Sequence, residues 1–253
     1  MIALITPTGG RPAQFDLCKL FMQRQTYQGE VCWIIVDDCI PVTTNIVQED
    51  FRENWTIIKA YPKPSWHPTM NTQGRNISVG INTLLKNYDT KDIEGIFIIE
   101  VDDYYRPIYL ERMVPRLSGI QATGERNTIY YNVYYRTYFI NPNTGHSSLF
   151  QTAFTIEAMP IFEKYLGEKF IDMTFWSHLT KVNLFNDNNL SIGIKGMPGR
   201  YGIGAGHTRL RHMPRDYDWH YLVKLIGAED TRLYYRFFNG DNTQRALFQR
   251  RVH

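Results

Sequence analysis

The chain has 253 residues with 43% hydrophobic, 14% aromatic and 21% charged side chains, a balance that builds one sizeable core and excludes a disordered or fibrous polypeptide. Its formal charge is nearly balanced at +3, and no apolar run approaches the roughly 20 residues of a membrane span. "MIALITPTGG" is too short and lacks the basic flank of a signal peptide, so a cytoplasmic address is expected. The three cysteines, Cys18, Cys32 and Cys39, have no CxxC spacing and read as reduced thiols.

In chain order the sequence alternates strands with helical stretches. "IALIT" (2–6) is a short apolar run closed by "PTGGRP", and residues 13–25 place Phe15, Leu17, Leu20 and Phe21 near one helical face. "VCWIIV" (31–36) reads as a buried strand ending in Asp37-Asp38, and "TIIKAY" (56–61) as a third. A helix over 74–87 precedes "GIFIIEV" (95–101), so the first 105 residues predict βαβ units on a mainly parallel sheet. The remainder changes style. "TIYYNVYYRTYFI" (128–140) predicts one half-exposed strand, "NPNTG" a turn, and 157–182 and 215–227 helices. There is no internal repeat and no linker, which favours a single domain.

In open α/β sheets ligands bind beyond the carboxyl ends of the strands. Three polar clusters stand at such ends: Thr6 to Arg11, Asp37-Asp38, and Glu100 to Asp103. Two acidic clusters on neighbouring strand ends repel each other unless a cation or an array of donors offsets them, so a divalent metal is expected between them.

These residues carry a resemblance. "QRQTYQGEVCWIIVDDC" (23–39) resembles the signature of family 2 glycosyltransferases of the GT-A fold, in which a strand ends in Val-Asp-Asp. "QGRNISVGIN" (73–82) resembles that family's Arg-Asn segment in shortened form, "IIEVDD" its Asp-x-Asp metal motif, and "FIDMTFWSHL" (170–179) the segment with the catalytic base. Order and spacing agree, with Asp38 to Asp102 spanning 64 residues and Asp102 to Asp172 spanning 70. The resemblance covers roughly residues 2–212 and implies one GT-A domain. Within it, 1–105 would be the nucleotide-sugar half, 106–212 the acceptor and catalytic half, and 213–253 a basic extension.

The resemblance also implies roles. Thr6, Pro7, Thr8 and Arg11 would line the nucleotide pocket, Asp37 or Asp38 would accept the imide hydrogen of a uracil-like base, and Arg75 would face the diphosphate. Asp102 would hold Mn²⁺ or Mg²⁺, with Glu100 and Asp103 as further acids of the site. Here Glu100 replaces the family's first aspartate, so the division of labour among the three stays open. Asp172 would be the base that takes the acceptor's proton, His207 after a glycine-rich loop would complete the metal shell, and Arg209 and Arg211 would lie near the diphosphate.

The implied activity is metal-dependent, inverting transfer from a nucleotide-sugar, a UDP-sugar, to an acceptor hydroxyl. The acceptor is a saccharide or polymer, or a hydroxymethylated base in DNA. From His207 to His253 there are nine Lys and Arg against five Asp and Glu, so the rest of the chain sums to −1 and the tail could track phosphates. Tyr130 to Tyr138, Trp66 and Trp219 offer stacking faces, although core packing is the commoner use of such residues. A sugar nucleotidyltransferase is a second reading, supported only by "GGR" (9–11), and a catalytically inactive nucleotide-sugar-binding module is a third, favoured by Glu100. The oligomeric state is not legible.

Overall fold

The computed structural model describes residues 1–43, 45–67, 71–187, 190–198 and 212–239. A seven-stranded sheet dominates. In spatial order it runs β10 (Val182–Phe185), β6 (Ala122–Glu125), β9 (Thr152–Phe154), β4 (Gly95–Ile98), β1 (Ile2–Thr8), β2 (Val31–Asp37) and β3 (Trp55–Ala60). β4, β1, β2 and β3 are mutually parallel, as are β6 and β10, while β9 runs antiparallel between the two sets.

Position in the sheet explains each strand's composition. β1 and β2 have neighbours on both edges and layers on both faces, so their runs are apolar almost throughout and buried. β3 sits at the edge, and only Trp55 of its six residues is buried. Along β1, Ile2 and Leu4 point into one core with Phe15, Phe21 and Trp33, while Ala3 and Ile5 point into the other with Ile77, Ile81 and Phe154. Each face therefore has its own hydrophobic layer. Helix α1 (Pro12–Gln23) supplies Phe15, Cys18, Phe21 and Met22 to the first, and α2 (Gln73–Asn87) supplies Ile77, Ile81 and Leu84 to the second.

A smaller four-stranded sheet orders β5 (Tyr104–Tyr105), β11 (Ser191–Lys195), β7 (Thr128–Asn132) and β8 (Thr137–Asn141). The expected single strand over 128–140 is thus a hairpin. Asn132 Oδ1 accepts from the backbone N–H groups of Tyr134 and Tyr135 at 3.0 and 2.9 Å, and Arg136 has a φ of 53°, so the chain reverses inside the tyrosine run. The helical stretch expected over 157–182 is likewise divided, into α4 (Met159–Lys164) and α5 (Ile171–Ser177), which follow the short α3 (Tyr109–Met113).

The helix expected over 215–227 is shorter, α6 (His220–Ile226), and α7 (Ala228–Asn239) continues it after Gly227. These helices are not an appendage. Asp230 of α7 pairs with Arg24 at 2.5 Å and accepts from the Tyr104 hydroxyl at 2.9 Å, and Tyr234 is fully buried. Trp219 is buried against Tyr131, so it is core and not a stacking surface. Cys18 and Cys32 are buried and Cys39 is partly exposed, all unpaired. Burial raises the Cys18 and Cys32 thiols, the latter to about 11, which leaves neither a ready nucleophile. Among the described residues no helix is long and apolar enough to cross a membrane.

Candidate active site

β1, β2 and β4 are adjacent and parallel, so the polar residues that follow them emerge at one edge of the sheet. β1 extends to Thr8, beyond the apolar run. The Asp38 N–H donates to the Thr8 carbonyl at 2.9 Å, stitching the ends of β1 and β2 together. Gly9 then turns away with φ 136°, and a Cβ there would run into the Asp38 carbonyl. Only glycine suits this crossing.

The two acids after β2 have different surroundings. Asp37 Oδ2 accepts from the Val42 and Thr43 N–H groups and from the Thr43 hydroxyl at 2.7 to 2.9 Å, while its Oδ1 is buried with no hydrogen-bond partner. Asp38 Oδ1 accepts from the Ser65 N–H at 3.2 Å, and its Oδ2 accepts from Arg75 at 3.3 Å and Asn76 at 3.2 Å. Both carboxylates are only 2% exposed. Asp37 therefore ties down the loop after β2, and Asp38 ties it to Ser65 and the start of α2.

The first turn of α2 is the bridge between the two acidic clusters. Arg75 and Asn76 reach Asp38, and Gln73, from the same turn, donates to Glu100 Oε1 at 2.9 Å. At Gly74 a Cβ would strike the Leu166 carbonyl between α4 and α5, so this turn is pressed against the segment leading to Asp172. The first turn of α2 thus touches one acid of each cluster, Asp38 on one side and Glu100 on the other.

Glu100, Asp102 and Asp103 each bring a carboxylate oxygen to within 4.8 Å of the others. Burial pushes the Glu100 carboxyl up to about 7, with the charges of Asp102 and Asp172 adding to the rise against the charge of Lys195 and the hydrogen bond from the Gln73 amide. Asp103 is 1% exposed and is likewise raised, first by burial. Its Oδ1 accepts from the Ile194 N–H at 2.9 Å and from Lys195 at 3.0 Å, and its Oδ2 is buried without a partner. Asp102 pairs with Lys195 at 3.3 Å and with Arg11 at 3.5 Å.

Lys195 and Gln73 were not singled out by the sequence. Burial alone would lower the Lys195 ammonium, but the charges of Asp102, Asp103 and Glu100 outweigh it and hold it above the ordinary lysine range. A lysine closing the buried strand "SIGIK" is the signal that could have been read, since such a side chain must find anions.

The remaining expected residues fall as follows. Thr6 is fully buried and its hydroxyl accepts from Trp33 Nε1 at 2.8 Å, which puts it in the core beneath the cleft and not on its wall. Pro7 is half-buried, and Thr8 is buried with its hydroxyl unpartnered. Asp172, half-buried at the start of α5, accepts from the Met173 N–H at 3.0 Å. Burial raises its carboxyl against that bond and the charge of His146, a neighbour the sequence did not indicate. Phe170 and Met173, on either side of it, are 50% and 52% exposed. His207, Arg209 and Arg211 lie outside the described residues, as does the end of the basic tail. Pro198, the last described residue before that segment, accepts from Gln14 at 2.7 Å.

No protein-family model and no curated protein matches the chain. Solved structures do. S. aureus TarS superposes with a TM-score of 0.55 at 12% identity, over 76% of this chain and 36% of that one. S. aureus TarS 1-349 in complex with UDP-GlcNAc gives 0.51 at 13% identity, over 80% and 60%. The mannosyltransferase PcManGT from Pyrobaculum calidifontis, in complex with GDP-Man and Mn²⁺, gives 0.51 at 12%, over 78% and 57%. At such identities the likeness establishes the fold, and the GT-A-like α/β architecture expected from the motif order is the one the chain adopts. The chain spans between about a third and three fifths of the length of these structures.

Proposed function

We propose that this chain is a metal-dependent glycosyltransferase of the family 2 kind, moving a sugar from a nucleoside-diphosphate donor, a UDP-sugar, to an acceptor hydroxyl with inversion. The observation that carries the reading is the convergence of Glu100, Asp102 and Asp103 within 4.8 Å, on a cleft that the first turn of α2 shares with Asp38. Fold neighbours solved with UDP-GlcNAc and with GDP-Man and Mn²⁺ support the donor class.

The residues fit a hard divalent cation, Mn²⁺ or Mg²⁺. Such ions take carboxylate oxygens, and the unpartnered Oδ2 of Asp103 is an acceptor with nothing else to bind. Glu100, Asp102 and Asp103 would hold the ion, which would supply positive charge where the diphosphate departs. Arg11 and Arg75 flank the same cleft, and their guanidinium groups can shift from Asp102 and Asp38 to paired phosphate oxygens. The buried, unpartnered Oδ1 of Asp37 is the acceptor assigned to a base imide beside Asp38.

Asp172 takes the acceptor's proton as the hydroxyl oxygen forms its bond to the anomeric carbon and the bond to the diphosphate oxygen breaks on the opposite face. A carboxyl raised by burial is a better base for that task than an exposed one. The exposed Phe170 ring beside it offers a face to a sugar, which favours a saccharide or polymer acceptor over DNA. The test is titration calorimetry with UDP- and GDP-sugars, with and without Mn²⁺. Metal-dependent binding that Asp102→Ala removes is expected, and an affinity indifferent to both would overturn the assignment.

A further inference from the structure

Lys195 has no part in the proposed transfer, although among the described residues it is more deeply placed than Arg11 or Arg75. β11 pairs with β5 on one side and β7 on the other, which carries Lys195, at its end, beneath the acidic triad. The side chain is 8% exposed, with Nζ 3.0 Å from Asp103 Oδ1, 3.3 Å from Asp102 Oδ2 and 5.9 Å from the centre of the Tyr130 ring. Asp103 is tied to the same strand a second time through the Ile194 N–H. An ammonium so buried stays only where anions hold it.

Its charge then bears on any ion that joins the triad. Three carboxylates face two cationic side chains, Lys195 and Arg11, among the described residues. A divalent ion turns that local sum from −1 to +1, with Lys195 within contact distance of two of the ion's own ligands, and like charges so close repel strongly. A diphosphate brings the compensating negative charge. We propose, on the footing of the metal-dependent reading, that Lys195 is a positioning residue that fixes Asp102 and Asp103 and keeps the triad's affinity for a bare divalent ion low. Ion and nucleotide diphosphate are thereby taken up together.

The experiment is Mn²⁺ titration, by electron paramagnetic resonance of the free ion, of the wild-type chain and of Lys195→Gln, each without and with saturating UDP. Wild type should bind Mn²⁺ at least about tenfold more tightly with UDP present, and Lys195→Gln should bind the bare ion at least about tenfold more tightly than wild type, narrowing the gap. Bare-ion affinity unchanged or weakened in a folded Lys195→Gln protein would overturn the proposal. Because the side chain is buried, the wild-type arm stands alone if the variant does not fold: equal Mn²⁺ affinity with and without UDP would overturn it too. If wild type binds no Mn²⁺ even with UDP, the metal reading of the triad falls and this inference with it, whereas binding that is simply insensitive to Lys195 removes only the inference.

Discussion

Glu100 is the place where site chemistry should be visible as lost stability. Its carboxyl ordinarily titrates at 4.5 and is pushed up to about 7 in the folded chain, burial being the largest cause. The sign follows from which state keeps the proton. Below pH 4.5 both folded and unfolded chains are protonated at this residue and nothing is lost; between 4.5 and 7 the folded chain retains a proton the unfolded chain has released, and stability falls as pH rises; above 7 the full cost is present. The separation corresponds to about 3 kcal/mol at most, since each pH unit is worth about 1.4 kcal/mol and Glu100 shares its field with neighbouring groups. Glu100→Gln keeps an acceptor for Gln73 and removes the charge. In metal-free protein the variant should be more stable than wild type at pH 8 by up to about 3 kcal/mol and indistinguishable from it near pH 4.5. Urea denaturation at both pH values, in chelator, is the assay. A variant less stable than wild type at pH 8 would refute the claim that this carboxylate is held ionised against its surroundings.

Three further outcomes are expected. Asp172→Asn should leave calorimetric donor affinity intact while lowering transfer about 10²- to 10⁴-fold, and transfer at the wild-type rate would remove Asp172 from the base role. Thr6→Val strands the buried Trp33 N–H, so it should cost about 1–3 kcal/mol in denaturation with donor affinity unchanged; reduced affinity at full stability would return Thr6 to the pocket. Gly9→Ala forces a Cβ toward the Asp38 carbonyl at a φ of 136°, and should cost at least about 1 kcal/mol and weaken nucleotide-sugar binding together, as read by thermal shift with and without donor.

How much of this was legible depends on how far apart in the chain the interacting groups stand. β1, β2, β4 and α2 announce themselves because a strand buried on both faces is apolar without interruption, and because α2 repeats its buried positions at helical spacing. β9 could not be read. Its three residues, "TAF", are a strand only because β4 and β6 flank them, and no periodicity fits in three positions. The tyrosine run misled for a related reason: aromatic residues satisfy a strand and a hairpin alike, and the reversal is decided by the Asn132 side chain capping the turn.

The site divides along the same line. Glu100, Asp102 and Asp103 are neighbours in sequence, so their mutual repulsion follows from the order of residues alone, and with it the demand for a compensating cation. What the sequence could not supply was the compensator's identity. Arg11 arrives through the β1–β4 pairing, Gln73 through the packing of α2, and Lys195 through the parallel pairing of β11 with β7, each from a different part of the chain. A local charge excess states how much opposite charge must come. The topology decides that part of it comes from Lys195, already in place, so that the affinity left for a metal depends on a residue with no motif of its own.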